Sequence, residues 1–427
     1  MADVKVLWIC NGSTQIYNQM VGDSENGASW IDGLAHMLCQ RKDINIVTCF
    51  PTLEKGKRIN KDNFTFYTIS RASNYYSEDA KKTYIDEYVG IIEDEQPDIV
   101  HLWGTEFPYV LYGVDAAEKT GLLGKTVINL QGMCGAISAH YYAQIPNYLE
   151  RWKTFRDLLQ VDSIKKRQNS FAKRALYESD AIKRVKYVVG RTDYDHAYAY
   201  WSNPSVTYFY CNEILRDSFY TSRWEYEKCE KYSIFISQAY YPIKGLHFLI
   251  EALALVKQQY PQVKLRIAGS DIFRMNQGLK SHLKDSAYSK YIKRLIKKYD
   301  LQNNIEVLGY LKEEEMCEKY LRSYLFVSAS ATENESNSLS EAKMLGMPVI
   351  ASYVGGVANR VNNGYDALVY QYDDVKILAY YICYLFSNPE KAVTLGENAR
   401  KGACAVNDKF VNAERIVDIY KEIINGQ

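Results

Sequence analysis

Short, uninterrupted apolar runs recur along this chain, separated by stretches in which apolar residues return at helical spacing. In the first half the runs are Val4–Cys10, Ile44–Phe50, Phe64–Ser70, Ile99–Trp103, Thr126–Leu130, Tyr187–Gly190 and Val206–Tyr210. Helical spacing covers Ala28–Gln40, Tyr84–Glu95, Pro108–Lys119 and a long stretch from Asn147 to Ser179. Strands that are apolar at consecutive positions are buried on both faces, so this alternation predicts a mostly parallel sheet covered by helices. The pattern lapses between Asn212 and Lys231, where Arg, Glu, Tyr and Ser dominate. It resumes with strands predicted over Ser233–Ser237, Val263–Ala268, Ile305–Leu308, Leu325–Ser328 and Val349–Ser352. Helices are predicted over Gly245–Gln258, Tyr288–Tyr299, Glu313–Leu321 and onward from Ser338, and the last ~55 residues are mainly helical.

Two rounds of the same alternation in 427 residues predict two domains, since one ordinary core does not extend so far. The expected division is 1–212, a connection over 213–231, and 232–427, with the last helix able to pack back on the N-terminal domain. Two doubly wound domains place a ligand site in the cleft between them, at the C-terminal ends of the strands. Composition changes this picture little: 47% hydrophobic and 24% charged residues are globular values, and a net charge of +1 gives no global field for nucleic acid. The run Val6–Cys10 is too short for a signal-peptide core, and no apolar run reaches the ~18 residues of a membrane span. Nine scattered cysteines without a Cys-x-x-Cys pair point to a reduced, cytoplasmic setting, with neither a disulfide framework nor a zinc site.

The candidate chemistry concentrates between Ser328 and Ile350. There a strand runs into the polar loop Glu333-Asn-Glu-Ser-Asn, then a helix, then the turn Gly346-Met-Pro348. Unpaired N–H groups at a helix start, with about half a positive charge, suit a diphosphate. Glu333 on the loop and Glu341 one turn into the helix can each accept hydrogen bonds from hydroxyls of a different sugar ring. Ser338-Leu-Ser-Glu341 also fits a capping box, in which Glu341 only returns to the helix start. A second feature is Tyr241-Pro-Ile-Lys244-Gly245. A lysine opposes the dipole at a helix start, and glycine in the first turn costs ~1 kcal/mol, so the two together suggest a bound anion. A solvated lysine beside a loop glycine is the alternative.

Glu-x7-Glu followed by Ala-x-x-x-Gly-x-Pro-Val-Ile-Ala-Ser and Gly355-Gly356 resembles the retaining glycosyltransferases of family 4. The resemblance extends over nearly the whole chain. It implies an α/β, GT-B fold: two doubly wound parallel-sheet, Rossmann-like domains facing a cleft. It further implies that Glu341 holds the ribose, Glu333 contacts the transferred sugar, and the main-chain N–H groups of Ser336, Asn337 and Ser338 bind the diphosphate. Lys244-Gly245 matches the family's phosphate clamp, and Tyr310-Leu311 its base-binding turn. Three departures stand out. Asn334-Glu-Ser-Asn337 replaces the usual Gly-Phe-Gly-Leu, Gln238 stands where an arginine is usual, and Gln131 stands where many members carry histidine. Glutamine is no general base, so the expected part of Gln131 is orientation, and Gln238 supports a leaving diphosphate less than arginine would. Gly27, opening a helix after the first loop, permits close backbone approach to the donor.

His101, at the end of a strand, is a further candidate on the acceptor side. Arg191-Thr-Asp193-Tyr-Asp195 contains an Asp-x-Asp, but it opens a helix where acidic residues cap, so no catalytic metal or other cofactor is expected. Residues 151–186 carry eleven Lys and Arg against four acids, interleaved with aromatic and aliphatic residues. Such a stretch suits either a solvated helix face or contact with an anionic membrane at its inner surface. The expected reaction moves a sugar from a nucleoside-diphosphate donor, UDP-linked in preference to GDP-linked, to a glycan or lipid-linked hydroxyl. A non-catalytic nucleotide-sugar-binding partner and a sugar-nucleotide epimerase on the same fold are the alternatives. The sequence argues against a dinucleotide-dependent dehydrogenase, because no Gly-x-Gly-x-x-Gly follows any of the predicted strands.

Overall fold

The computed structural model describes residues 3–22, 29–53, 56–159, 162–269 and 285–426. The chain separates into two compact units, one comprising 1–135, 172–216 and 407–427, the other 136–171 and 217–406.

The first unit is built on an eight-stranded sheet. Its strands are β1 (Val4–Ile9), β2 (Ile44–Thr52), β3 (Arg58–Lys61), β4 (Phe64–Ser70), β5 (Ile99–Trp103), β6 (Thr126–Asn129), β7 (Tyr187–Gly190) and β8 (Thr207–Tyr210). Their order is β3-β4-β2-β1-β5-β6-β7-β8, and every pair is parallel except β3 with β4. Val6 to Ile9 and all of β5 are buried, as expected for central strands with helices on both faces. The helix Lys409–Asn425 belongs to this unit, where Tyr420 accepts from Trp8 Nε1 at 3.0 Å.

The second unit holds a six-stranded, wholly parallel sheet: β9 (Glu230–Ser237), β10 (Lys264–Ala268), β11 (Ile305–Gly309), β12 (Ser323–Ser328), β13 (Val349–Ser352) and β14 (Leu368–Tyr370). The order is β11-β10-β9-β12-β13-β14. Numbered from β9, this is 3-2-1-4-5-6, the doubly wound arrangement with its topological switch between β9 and β12. All residues of β12 and β13 are buried.

The stretch 213–231, expected as a connection, is largely built into this unit. Asp217–Thr221 is a helix, and the buried Trp224 donates to the Ser323 carbonyl at 2.8 Å. The stretch expected as one helix from Asn147 to Ser179 is three: Tyr148–Arg151, Phe155–Leu159 and Ile164–Arg184. No helix among the described residues is long and apolar enough to cross a membrane.

Candidate functional site

Strands β9 and β12 end side by side, and their hydrogen-bonded register brings Phe235 opposite Phe326. Just beyond these C-terminal ends lies a cavity of about 150 Å3, at the switch point of the second sheet, where ligands of doubly wound folds bind. Ser237 and Gln238 enter it at the end of β9, Ser328 and Ser330 at the end of β12, and Glu333, Glu335, Ser336, Asn337 and Ser338 from the following loop and helix start. Among the described residues that line it, Lys244 is the only cation.

Lys244 Nζ stands 2.6 Å from Glu333 Oε1, and Ser330 Oγ donates to the same oxygen at 2.6 Å. The two residues singled out by sequence as sugar and phosphate groups are thus brought together, each holding the other's charge. Ser330 is fixed in turn, its carbonyl accepting from Ser352 Oγ at 2.6 Å. The neighbouring helix spans Asn337–Leu345, capped by Ser336, whose side chain accepts from Leu339 N–H. The capping box over Ser338–Glu341 is therefore not formed, because the cap lies two residues earlier. The N–H groups of Asn337 and Ser338 fall in the first turn, without an intrahelical carbonyl. Ser338 Oγ accepts from Ser237 Oγ at 2.5 Å, tying the helix start to the end of β9.

Lys244 does not begin a helix. It ends a short 3-10 turn, Pro242–Lys244, and Gly245 follows at φ 71° before the helix Leu246–Gln259. Glycine is required here for a reason other than anion approach: a Cβ at this position would collide with the Ala329 carbonyl. Gln238 is also left-handed, at φ 53°, a conformation that costs a non-glycine residue about 1–2 kcal/mol and gathers at ligand sites. Its N–H donates to the Ala268 carbonyl at 2.9 Å.

The other expected donor residues are less collected. Glu341 is 5% exposed within the helix and does not line the cavity. Tyr310, 65% exposed, and Leu311 follow β11 and do not line it either. Gly27 lies outside the described residues.

In the first unit, Gln131 follows β6, and its Nε2 donates to Asn129 Oδ1 at 2.8 Å. Arg191 Nη2 reaches Gln131 Oε1 at 3.4 Å, and Arg191 pairs with Glu213. His101 corrects the expectation of a substrate contact. It is wholly buried, stacked on Trp103 at 4.0 Å, with Nδ1 2.7 Å from the Tyr420 hydroxyl, and burial pushes its pKa down to about 3. It is a neutral core residue. Asp195 does cap, forming a capping box with Thr192, while Asp193 stands in the first turn and accepts from the Tyr210 hydroxyl at 2.8 Å. Among the described residues, no group of three or more His, Cys, Asp or Glu side chains is placed to hold a metal ion.

Residues 220–402 match the family model for glycosyl transferases group 1. The match falls within the second unit and contains every residue that lines the cavity. Among curated relatives, the gpi3 subunit of phosphatidylinositol N-acetylglucosaminyltransferase from Schizosaccharomyces pombe is 27% identical over 155 residues, 36% of this chain and 30% of that protein. The chain spans less than half the length of the curated relatives it matches. Among solved structures, the sucrose-phosphate synthase of Thermosynechococcus elongatus superposes with a TM-score of 0.69 at 15% identity, covering 99% of this chain and 100% of that one. Anabaena Alr3699/HepE in complex with UDP gives 0.68 at 15% identity, covering 98% and 100%. These likenesses carry the fold, which is the expected pair of Rossmann-like, parallel-sheet domains of the GT-B class.

The site also contains residues that were not singled out from the sequence. The hydroxyls of Ser237, Ser328 and Ser330 lie at strand ends, a position that could have marked them. Glu335 pairs with Arg360, 25 positions away, at 2.7 Å. No local spacing signals that pairing.

Proposed function

We propose that this chain is a glycosyltransferase that moves a sugar from a nucleoside-diphosphate donor to a hydroxyl of a glycan or lipid-linked acceptor. The donor is a UDP-sugar in preference to a GDP-sugar, and the anomeric configuration is retained. The observation that carries this reading is the Lys244–Glu333 pair beside an unpaired helix start, at the switch point of the second sheet. The family match over 220–402 and the transferase names of matched relatives support it.

The transition state resembles an oxocarbenium ion leaving a diphosphate. Lys244 and the N–H groups at Ser336–Ser338 take up the charge on the departing oxygens, and the rate enhancement rests on positioning and fixed dipoles. When phosphate draws Lys244 away, the Glu333 carboxylate is released to accept hydrogen bonds from the sugar hydroxyls. Glu341 holds the ribose, Tyr310 and Leu311 the base, and Gly27 and Gln131 approach the reacting sugar. The setting is cytoplasmic, in surface polysaccharide or glycolipid synthesis, with peripheral contact to an anionic membrane through 151–186. Exposed Phe155, Leu158 and Leu159 beside exposed Arg151 and Lys153 support that contact.

Lys244→Ala and Glu333→Ala are each expected to lower turnover at least ~10-fold in a donor-hydrolysis or transfer assay, since each removes a group that strengthens in the transition state. Unchanged rates in both variants would sink the assignment. Gln238 in the phosphate wall, where no second cation among the described residues lines the cavity, favours a second reading, a non-catalytic nucleotide-sugar-binding partner. Calorimetric binding of UDP without hydrolysis or transfer across a panel of donors would select it.

A further inference from the structure

Glu335 lies in the cavity wall beside Glu333, yet its side chain is 1% exposed and its Oε1 stands 2.7 Å from Arg360 Nε. Arg360, itself 10% exposed, closes the 3-10 turn Gly355–Asn359. Its carbonyl accepts from Lys343 Nζ, and Lys343 pairs with Asp366 at 2.9 Å. Asp366 Oδ1 in turn accepts the Asn362 N–H at 2.7 Å. Two cations and two anions are thereby joined behind the cavity, crossing between the loop 333–336, the helix Asn337–Leu345 and the segment 355–366. The main chain adds a parallel link, the Gly356 N–H donating to the Glu333 carbonyl at 3.0 Å.

Burying such pairs gains little stability over apolar side chains of the same size, but losing one partner strands a buried charge. Their effect is to hold one geometry, and the geometry held is that of the loop carrying Glu333. The loop is anchored at both of its acidic residues, by the Glu333 carbonyl and the Glu335 carboxylate. Between and after them stand the Glu333 carboxylate, which faces Lys244, and the helix start at Ser336.

Resting on the donor-site reading, we propose that Arg360 is a positioning residue for the sugar moiety of the donor. Through Glu335 it holds the loop so that the Glu333 carboxylate and the helix start keep the spacing a nucleoside-diphosphate sugar requires. Glu335 is a strut and not a ligand. The sugar half of the donor, which meets the loop, depends on the strut. The nucleotide half, expected at Glu341 and the base turn, depends on it little.

The test compares the wild-type chain with Arg360→Gln, Glu335→Gln and the double variant, using UDP and UDP-glucose as calorimetric probes and hydrogen exchange of the ligand-free proteins. Arg360→Gln should weaken UDP-glucose at least ~10-fold while UDP stays within about threefold. Amides 333–338 should exchange faster, with those of the helix Leu246–Gln259 unchanged. The double variant, with no stranded charge, should recover most of the UDP-glucose affinity. Three results overturn the proposal: unaltered exchange over 333–338, equal losses for UDP and UDP-glucose, or a double variant no better than Glu335→Gln alone when that single loses affinity, which would make Glu335 a direct ligand. A wild-type chain that binds neither probe fails the donor-site reading, and the exchange measurement then decides the strut by itself.

Discussion

Gly245 holds a φ of 71° with the Ala329 carbonyl where a Cβ would stand. The sequence marks Lys244-Gly245 as unusual, and Lys244 does line the cavity, but the cause of the glycine is a contact with a chain segment over eighty positions away. Gly245→Ala should therefore lower stability by about 3 kcal/mol in denaturant unfolding, from left-handed strain plus the collision. A loss below ~1 kcal/mol would show that the turn can move aside.

His101 shows the same limit at another residue. A histidine at a strand end reads equally as ligand or as core, and only its enclosure by Trp103 and Tyr420 decides. Its folded pKa, near 3, lies below the ~6.5 of an unfolded histidine, so the unfolded chain binds the extra proton. The stability this neutral form provides is complete above pH 6.5 and is lost as pH falls below it. Between pH 7 and pH 5 the wild-type chain should lose about 2 kcal/mol more than His101→Gln in urea titrations. Equal losses would mean that the imidazole is protonated in the native state.

At the scale of elements, hydrophobic spacing located the long members well. Phe64–Ser70, Ile99–Trp103, Tyr187–Gly190 and Val349–Ser352 form over the predicted residues. It missed β3, Arg58-Ile-Asn-Lys61, which has one apolar residue and is a strand because β4 pairs with it, Ile59 opposite Phe66. It also joined three helices into one between Asn147 and Ser179. One of the breaks is held by Asp157, whose carboxylate takes the N–H groups of Thr154 at 3.0 Å and of Ala287 at 3.3 Å. The second of these bonds comes from a distant segment, so helical periodicity carries no trace of it.

The Asp-x-Asp motif was legible locally, because a cap needs only its own first turn. Thr192 Oγ1 accepts from the Asp195 N–H at 3.2 Å, and Asp195 Oδ1 accepts from the Thr192 N–H at 3.2 Å. Thr192→Ala should cost ~1 kcal/mol in thermal or denaturant unfolding. With Asp195 held in the cap and Asp193 accepting from the Tyr210 hydroxyl, transfer activity should be the same with and without a metal chelator. A chelator-sensitive rate restored by added divalent ions would contradict that assignment.

For the whole molecule, the chain's path through its two units decides what the C-terminal segment does. Residues 407–427 belong to the first unit, where Tyr420 meets Trp8 at 3.0 Å and His101 at 2.7 Å. Deleting 407–427 should leave UDP affinity within about threefold of the full chain, because the cavity lies wholly in the second unit. The same deletion should uncover Trp8, shifting tryptophan emission to the red and erasing the first unit's unfolding transition. Lost nucleotide binding with an intact first-unit transition would reverse that assignment.

The sequence by itself determined the parallel, doubly wound class and singled out Lys244 and Glu333, which the fold brings to 2.6 Å from each other. Consecutive apolar positions, caps and glycine–proline turns are local signals, and each acts within a few residues of itself. Only the tertiary structure decided the 3-2-1-4-5-6 strand order, the burial of His101, the need for Gly245 and the pairing of Glu335 with Arg360. Those features join segments far apart along the chain, where strand order and side-chain enclosure act and residue spacing has no influence.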